Sequence, residues 1–286
     1  MTSPENQSLS ALLKKHNLRP DKNLGQNFLT DPSILDNIVD AAEVKSQDTV
    51  LEIGAGLGHL TRHLAVPAKQ VVAVELDKRL ISILKQNLQS FSNIRIVQGD
   101  ILQLNPRDLV AEDNYLVVAN IPYYITSSII RNLLESGVKP KRIILTIQYE
   151  VAQRVCAISG QMSVLALSVL MYGEPILVRR IPAEAFYPPP KVDSAVIRID
   201  LYPEPILPAE KRELFFKLVK AGFLHKRKTI RNSLSTGLKW TPEKTEGLLS
   251  AAEINPQRRA ETLSLSEWLE VTGQYDKIKK LNINEK

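Results

Sequence analysis

Glycine and carboxylate residues follow three successive apolar runs of the chain, where they could bind a nucleoside. Gly54, Gly56 and Gly58 come directly after the run TVLEI, and glycines there let backbone N–H groups approach a ligand at a helix N-terminus. Glu75 closes the next run, 21 positions beyond Gly54, where a carboxylate can accept from both hydroxyls of a ribose. Asp100 closes the third run and can accept from an adenine amino group. Together these residues predict a site for a nucleoside-bearing cofactor.

The spacing of the glycines distinguishes between two classes of cofactor. Nicotinamide-dependent enzymes use G-x-G-x-x-G, whereas here the third glycine comes one position earlier and His59 occupies the remaining slot. The G-x-G-x-G spacing resembles that of S-adenosylmethionine-dependent methyltransferases. We therefore expect S-adenosylmethionine as the cofactor.

The stretch VANIPYY places a carboxamide, a rigid turn and two aromatic rings at the end of a fourth apolar run. An adenine N6 amino group is a poor nucleophile, and hydrogen bonds to the Asn120 side-chain oxygen and the Ile121 carbonyl would localise its lone pair. Pro122 would fix the backbone so that this carbonyl points inward, and Tyr123 could stack on the base. Since the methyl donor is itself the electrophile, the protein must chiefly align nitrogen, methyl and sulfur and exclude water. The stretch thus predicts a site for amino methylation.

Short apolar runs alternate with helical patterns over the first two thirds of the chain and predict the elements that hold these residues. This alternation is typical of an α/β fold with a mostly parallel sheet and helices on both faces. Two further runs, residues 175–181 and 194–201, are joined by a proline-rich loop too short for a helical crossover, so they should form an antiparallel hairpin. We therefore expect a Rossmann-like sheet of seven strands with an antiparallel last hairpin.

A proline-rich stretch, YPEPILPAE, indicates a boundary between two domains. Residues 1–201 would form the α/β domain, and residues 202–286, where the patterns are only helical, would form a smaller all-α domain. Residues 202–286 contain 16 Lys and Arg against 11 Asp and Glu, which is most of the net charge of +6. This asymmetry favours a polyanionic partner such as nucleic acid.

Several stretches match, in order, the motifs of one enzyme family, and together they run almost from end to end of the chain. The chain resembles the KsgA family of small-subunit ribosomal RNA adenine N6-dimethyltransferases. The matching stretches are LGQNFLTDPSILDNIV, LEIGAGLGHLT, VVAVELD, QGD, VANIPYYITSSII, AFYPPPKVDSAVIRI, FLHKRKTIRNSL and INPQRRAETLSLSEWL.

The resemblance implies a class I methyltransferase fold and a role for particular residues. Asn27 and Leu29 would contact the cofactor, and Phe186 would cover the target base opposite Tyr123. The remaining cofactor contacts would come from Gly54, Glu75, Asp100 and Asn120. The implied reaction is dimethylation of two adjacent adenines in the 3′-terminal hairpin of small-subunit rRNA, within the immature small subunit, with a role in its maturation. The basic residues expected on RNA phosphates are Lys226, Arg227, Lys228 and Arg231.

Two other functions stay open at this point. The related family that methylates large-subunit rRNA and confers macrolide resistance shares the cofactor motifs and NIPY, although PPPKVDSAV and KRKTIRNSL favour the small-subunit enzymes. A non-catalytic rRNA-binding assembly factor is the alternative from a different class, and the intact cofactor motifs and NIPY argue against it.

The remaining composition predicts a soluble, cytoplasmic monomer. The single cysteine, Cys156, excludes a disulfide framework, and no apolar run approaches the ~20 residues of a membrane helix. His59 and His63 lack the acidic partner of a zinc-protease motif, so we expect helix-surface residues and no metal. The sequence shows no strip of exposed apolar residues that would indicate a dimer interface, so we expect a monomer.

Overall fold

The computed structural model describes residues 4–157 and 160–284. It divides into two compact units, Met1–Gln153 with Gly173–Pro203, and Arg154–Tyr172 with Glu204–Lys286. The chain leaves the first unit for the last time after Pro203, close to the boundary expected between residues 201 and 202. Residues 154–172 differ from that expectation, because they belong to the second unit although they precede the boundary. Their apolar side chains, Leu167 and Met171 among them, pack into the helical core of that unit.

Nine strands form two sheets in the described part of the first unit. The larger sheet has seven strands in the order β4-β3-β2-β5-β6-β9-β7, and the smaller sheet pairs β1 with β8. The strands are β1 (Phe28–Leu29), β2 (Thr49–Ile53), β3 (Gln70–Glu75), β4 (Ile94–Gln98), β5 (Leu116–Asn120), β6 (Arg142–Gln148), β7 (Gly173–Ile181), β8 (Phe186–Tyr187) and β9 (Ser194–Leu201).

The larger sheet confirms the predicted Rossmann-like topology. Strands β4, β3, β2, β5 and β6 run parallel to one another, and β9 pairs antiparallel with both β6 and β7. The central strands are apolar on both faces because helices cover both, which is why their sequences are continuous rather than alternating apolar runs. All the carboxyl ends of the parallel strands therefore meet at one edge of the sheet.

Seven helices of the chain begin in the first unit, within its described residues. Helix α2 begins after the N-cap Asp31, whose carboxylate accepts from Ser33 N and Ile34 N. The helices are α1 (Pro4–Lys15), α2 (Pro32–Ala42), α3 (His59–Ala65), α4 (Ile81–Asn87), α5 (Pro106–Leu109), α6 (Thr126–Glu135) and α7 (Tyr149–Val155).

The two-stranded sheet was not predicted from the sequence. Phe28 pairs with Tyr187 and Leu29 pairs with Phe186, so the segment before α2 is joined to the proline-rich loop between β7 and β9. Helix α1 lies on the same region, where Ser10 accepts a hydrogen bond from the Tyr187 hydroxyl at 3.1 Å. The N-terminal segment is thereby held at the carboxyl edge of the larger sheet.

The second unit is helical throughout its described residues. Its core surrounds Trp268, which is fully buried together with Phe215 and Leu234. The helices are α8 (Val164–Leu170), α9 (Ala209–Gly222), α10 (Ile230–Leu238), α11 (Pro242–Ala251) and α12 (Leu265–Asn284). In the described part of the chain, no helix combines the length and apolar character needed to cross a membrane.

Candidate active site

A cavity opens at the carboxyl ends of β2, β3 and β5 and at the loop that follows β4. Its volume is about 110 Å³, several times the roughly 10–15 Å³ that one water needs on the same measure. Nine of the ten residues predicted for cofactor binding or catalysis line it, namely Asn27, Gly54, Glu75, Asp100, Asn120, Ile121, Pro122, Tyr123 and Phe186. The tenth, Leu29, lines a smaller adjoining cavity instead, which Gly54 and Asn120 also border.

The glycine loop after β2 has a backbone that only glycine adopts without strain. Gly54 has φ +78° and Gly56 has φ +58°, both in the left-handed region. A Cβ on Gly54 would lie 3.3 Å from the Asn120 carbonyl oxygen, and a Cβ on Gly56 would lie 3.2 Å from the Phe28 ring. The loop thus brings two strand ends and the N-terminal segment together, with the cavity beside its backbone.

Glu75 joins the end of β3 to the glycine loop. One carboxylate oxygen accepts from Gly56 N at 2.7 Å, and the other accepts from Asp77 N at 2.7 Å. Burial raises the pKa of this carboxyl group, and the backbone N–H groups of Asp77, Gly56 and Leu76 counteract that rise. A carboxylate has about four lone-pair sites, so this one can still accept from a ribose after holding the loop in place.

Asp100 lies two residues after β4, the third parallel strand in chain order. Its Oδ1 accepts from Leu102 N at 3.0 Å, and the residue is half-buried. No hydrogen bond from a described residue reaches its Oδ2. This second oxygen is available to an amino group in the cavity.

Asn120 has a defined carboxamide orientation. Its Nδ2 donates to the backbone carbonyl of Asn27 at 3.0 Å, and no described residue donates to its Oδ1. The adjoining turn begins at Pro122, with φ −58°, and continues as a 3₁₀ turn over Tyr123–Ile125. An acceptor oxygen and the NIPY backbone therefore lie together at the wall of the cavity.

The two aromatic residues expected on the target base differ in their surroundings. Tyr123 is half-buried, and its hydroxyl is 2.7 Å from the Ser194 hydroxyl on β9, which holds the ring from behind. Burial raises the pKa of that phenol. Phe186 is only 1% exposed and packs among Leu29, Ile144 and Val196, so it belongs to the core as well as to the cavity lining. Tyr124, 62% exposed, lies at the rim.

The smaller cavity holds a carboxyl group that the sequence analysis missed. Glu52 on β2 is 1% exposed, its Oε2 has no hydrogen-bond partner among the described residues, and burial raises its pKa to about 8. The sequence signal was a charged residue inside an apolar run. His59 also lines this cavity, where burial lowers the pKa of its ring to about 4. His59 is half-buried rather than fully on the helix surface, because its helix begins at the glycine loop.

The other histidine and the cysteine have no catalytic surroundings. His63 contacts Asp36 at 2.7 Å on the surface, and burial raises the pKa of the Cys156 thiol to about 11, which leaves it a weak nucleophile. Within the described residues no three His, Cys, Asp or Glu side chains group as metal ligands. The expectation of a metal-free site stays a prediction.

The basic run lies in the second unit, with Lys226, Arg227 and Lys228 between α9 and α10 and Arg231 in the first turn of α10. Lys226, Arg227 and Lys228 are exposed and form no ion pair with a described residue. Arg231 differs, since its guanidinium is half-buried and contacts Glu246 at 2.6 Å. Three of the four expected phosphate ligands are thus free cations.

Comparison with known proteins identifies the family. The family model described as ribosomal RNA adenine dimethylase matches residues 17–277. The chain is 43% identical over 265 residues to ribosomal RNA small subunit methyltransferase A of Dehalococcoides mccartyi, covering 92% of this chain and 91% of that one. It belongs to the ribosomal RNA adenine dimethylase family.

Three further proteins are similar to this chain. Ribosomal RNA small subunit methyltransferase A of Staphylococcus aureus is 38% identical, with 96% of this chain and 95% of that one covered. A dimethyladenosine transferase structure from Plasmodium falciparum is 28% identical with a TM-score of 0.76, covering 87% of this chain and 98% of that one. The structure of the 23S rRNA methyltransferase ErmE is 31% identical with a TM-score of 0.73, covering 87% and 100%.

S-adenosylmethionine, the methyl donor that the methyltransferase family implies, fits the residues of the cavity. The glycine loop passes beside the cavity with tight space for any Cβ at Gly54 and Gly56, and acceptor oxygens lie at the end of β3 on Glu75 and after β4 on Asp100. These are the groups that ribose hydroxyls and an adenine amino group require.

Proposed function

We propose that the chain transfers methyl groups from S-adenosylmethionine to N6 of two adjacent adenines in the 3′-terminal hairpin of small-subunit rRNA. The products are dimethyladenosines, and the reaction serves maturation of the small subunit. Membership of the adenine dimethylase family supports the reaction class. The relatives named for the small subunit, at 38–43% identity over nine tenths of the chain or more, support the choice of rRNA.

The observation that carries this proposal is the orientation of Asn120. Its Nδ2 is engaged by the Asn27 carbonyl, so its Oδ1 is the atom left to accept from an amine in the cavity. An N–H group of adenine N6 that donates to this oxygen, while the other donates to the Ile121 carbonyl, leaves the nitrogen lone pair free for attack. Pro122 follows these two acceptors and precedes the aromatic turn, and its ring restricts the backbone at that point.

The cofactor would be held by residues from four strand ends and the N-terminal segment. When bound, S-adenosylmethionine supplies a methyl group that its sulfonium centre has already activated. Glu75 and Asp100 accept from its nucleoside, and Gly54 lets the backbone approach closely. Asn27 and Asn120 border the same space, and Leu29 packs behind the loop. The remaining task of these side chains is to align the reactants and exclude water.

The target base must leave its stack to enter the cavity. Tyr123 offers a ring whose hydroxyl is anchored by Ser194, so the ring is preorganised for stacking. Phe186 borders the cavity from the core side. We propose that Tyr123 stacks on the base, and that Phe186 forms the other wall with little movement.

The second unit would bind RNA phosphates. Lys226, Arg227 and Lys228 supply exposed charge for this contact, and Arg231 supports them. The partner would be small-subunit rRNA within the immature subunit, where a monomer of this chain acts in the cytoplasm.

A methylation assay with mapped products tests the proposal. Undermethylated small subunits and, separately, undermethylated large subunits are incubated with the protein and labelled S-adenosylmethionine, and the rRNA is analysed by mass spectrometry. We expect two dimethyladenosines in the 3′-terminal fragment of small-subunit rRNA. Label confined to large-subunit rRNA would favour the activity named for ErmE, and binding without transfer would favour an assembly factor.

A further inference from the structure

A segment before α2, residues 21–28, forms one wall of the active-site cavity. Its residues 24–28 all line that cavity. We call residues 21–28 the strap. Apart from the pairing of β1 with β8, side chains at two points fasten the strap to the carboxyl edge of the sheet.

The first fastening is a hydrogen-bonded cluster around Asp77. Gln26 on the strap donates from Nε2 to Asp77 Oδ2 at 2.8 Å and accepts from Asp21 N at 2.8 Å. Arg79 donates to both carboxylate oxygens of Asp77, at 2.9 Å from Nε and 2.7 Å from Nη2. Its Nη2 also lies 3.5 Å from the Asp21 carboxylate, so Arg79 contacts both sides of the fastening. The strong, bidentate character of this pair keeps Asp77 in position for Gln26.

The second fastening uses the residue next to Gln26. The Asn27 carbonyl accepts from Asn120 Nδ2 at 3.0 Å, and this contact determines which end of the Asn120 carboxamide faces the cavity. Asp77 has a parallel effect on the cofactor side, since its backbone N–H donates to Glu75 Oε1 at 2.7 Å. Gln26, which is hydrogen-bonded to Asp77, is therefore the chain neighbour of Asn27, the partner of Asn120. Asp77 itself is hydrogen-bonded to Glu75.

Asp77 and Arg79 themselves do not line the cavity. Any influence of Arg79 on the reaction must consequently pass through neighbouring residues, and its hydrogen-bonded cluster leads to the strap and to Glu75. We propose that Asp77 and Arg79 are positioning residues, which keep the strap closed so that the Asn27 carbonyl orients the Asn120 carboxamide. The part of this inference that concerns the target amine rests on the proposed function; the closing of the strap does not.

The test compares Arg79→Ala with a matched variant at the other edge of the same sheet. Lys141→Ala also removes the cation from a buried aspartate: Lys141 Nζ lies 2.6 Å from Asp48, and Arg79 Nη2 lies 2.7 Å from Asp77, with each aspartate 5% exposed. The two variants should lose similar thermal stability. They differ in that only Arg79 belongs to a cluster that reaches the strap.

Hydrogen exchange of the unliganded full-length protein measures the strap directly. We expect Arg79→Ala to speed amide exchange in residues 21–28 by about fivefold or more, and Lys141→Ala to leave that peptide unchanged. In single-turnover methylation at saturating cofactor, Arg79→Ala should lose about fivefold or more in rate. Arg79→Lys should restore part of this rate, because an ammonium keeps the charge but not the two-point contact.

Wild-type exchange in the strap of Arg79→Ala would overturn the proposal, and so would equal rate losses in Arg79→Ala and Lys141→Ala. If the wild-type protein transferred no methyl group to small-subunit rRNA, the proposed function would fail. The exchange measurement would still decide whether Arg79 closes the strap.

Discussion

The two edges of the seven-stranded sheet differ in whether their polar side chains have hydrogen-bond partners within the protein. At the amino edge of the parallel strands, Asp48 accepts from Lys141 at 2.6 Å and from the Lys45 backbone at 2.9 Å. Nearby, Arg142 contacts Glu43 at 3.0 Å and also Asp200. At the carboxyl edge no described residue donates to Asn120 Oδ1. The amino edge thus holds paired charges, whereas the carboxyl edge combines one such pair, Asp77 with Arg79, with acceptors that no described residue donates to.

Stabilising polar groups and ligand-binding polar groups differ in where their hydrogen-bond partners come from. A buried or half-buried polar atom costs free energy when it lacks a partner. A fold retains such atoms where a ligand will supply the partner. Arg142 and Asp200 have each other as partners within the protein, whereas the free acceptors of the carboxyl edge border the cavity, where a ligand can donate to them.

The largest expected effect comes from removing the free acceptor itself. Asn120→Ala should lower the single-turnover rate by about 10²–10³-fold, comparable with removal of one preorganised hydrogen-bonding group in other enzymes. The reason is that Asn120 Oδ1 is the side-chain acceptor beside the Ile121 carbonyl. The rate is measured on undermethylated small subunits with saturating labelled cofactor.

Thermal unfolding provides the control for Asn120→Ala, since the variant also lacks the hydrogen bond to the Asn27 carbonyl. Lys141→Ala should unfold at a lower temperature and retain its rate. A near-normal rate for Asn120→Ala would contradict the proposed alignment of the target amine.

The next effect concerns Glu75, which combines both kinds of role. Glu75→Ala should weaken S-adenosylmethionine binding by about 1.5–3 kcal/mol, because the ribose would lose a charged acceptor. It also leaves Gly56 N and Asp77 N without their acceptor, so the glycine loop should lose stability at the same time. Calorimetry on the folded variant measures the affinity, and unchanged affinity or a preference for NAD would reject the cofactor assignment.

The residues of the carboxyl edge could be predicted because each one ends a local apolar run. Gly54, Glu75, Asp100 and Asn120 lie at or just after the ends of β2 to β5 in order, and parallel strands bring these ends together. The buried position of Phe186 could not be predicted, since it depends on pairing with Leu29 far away in the chain.

Other parts of the structure escaped prediction for the same reason. Residues 154–172 contain a helical pattern that does not reveal which core it joins, and Gln26 gives no sign of Asp77 as its partner. Local patterns determine which residues end a strand, but contacts between distant segments determine which side chains remain free.

Glu52 on β2 is an unpaired group of a third kind: it is a buried carboxyl group with no cation beside it among the described residues. Its folded pKa, about 8 against 4.5 ordinarily, is raised by burial, so the folded state holds an extra proton between these values. Wild-type stability should therefore fall as pH rises from about 4.5 to about 8, by up to ~1.4 kcal/mol per pH unit from this group. Glu52→Gln imitates the protonated form and should remove that slope.

Chemical denaturation at a series of pH values measures the effect. Glu52→Gln and wild type should be equally stable near pH ~4, where both side chains are neutral, and the variant should be increasingly more stable towards pH ~8. A constant difference between the two across this range would mean that Glu52 is already ionised in the folded protein.

The distinction between paired and free groups also predicts a difference within the basic run of the second unit. Arg231 is of the paired kind, held by Glu246 at 2.6 Å, whereas Lys226, Arg227 and Lys228 are exposed and form no ion pair within the described chain. Neutralising those three should weaken binding to small-subunit rRNA and reduce the log–log salt slope by about 0.7–0.9 for each phosphate that the protein no longer neutralises. Arg231→Gln should change the slope less than any one of the three, because its charge is already partly satisfied.

Filter-binding titrations across a salt series measure both effects. An unchanged slope in the triple variant would mean that the run is only a solvated surface, and a larger change from Arg231→Gln would show that the ion pair with Glu246 opens to release the guanidinium for RNA.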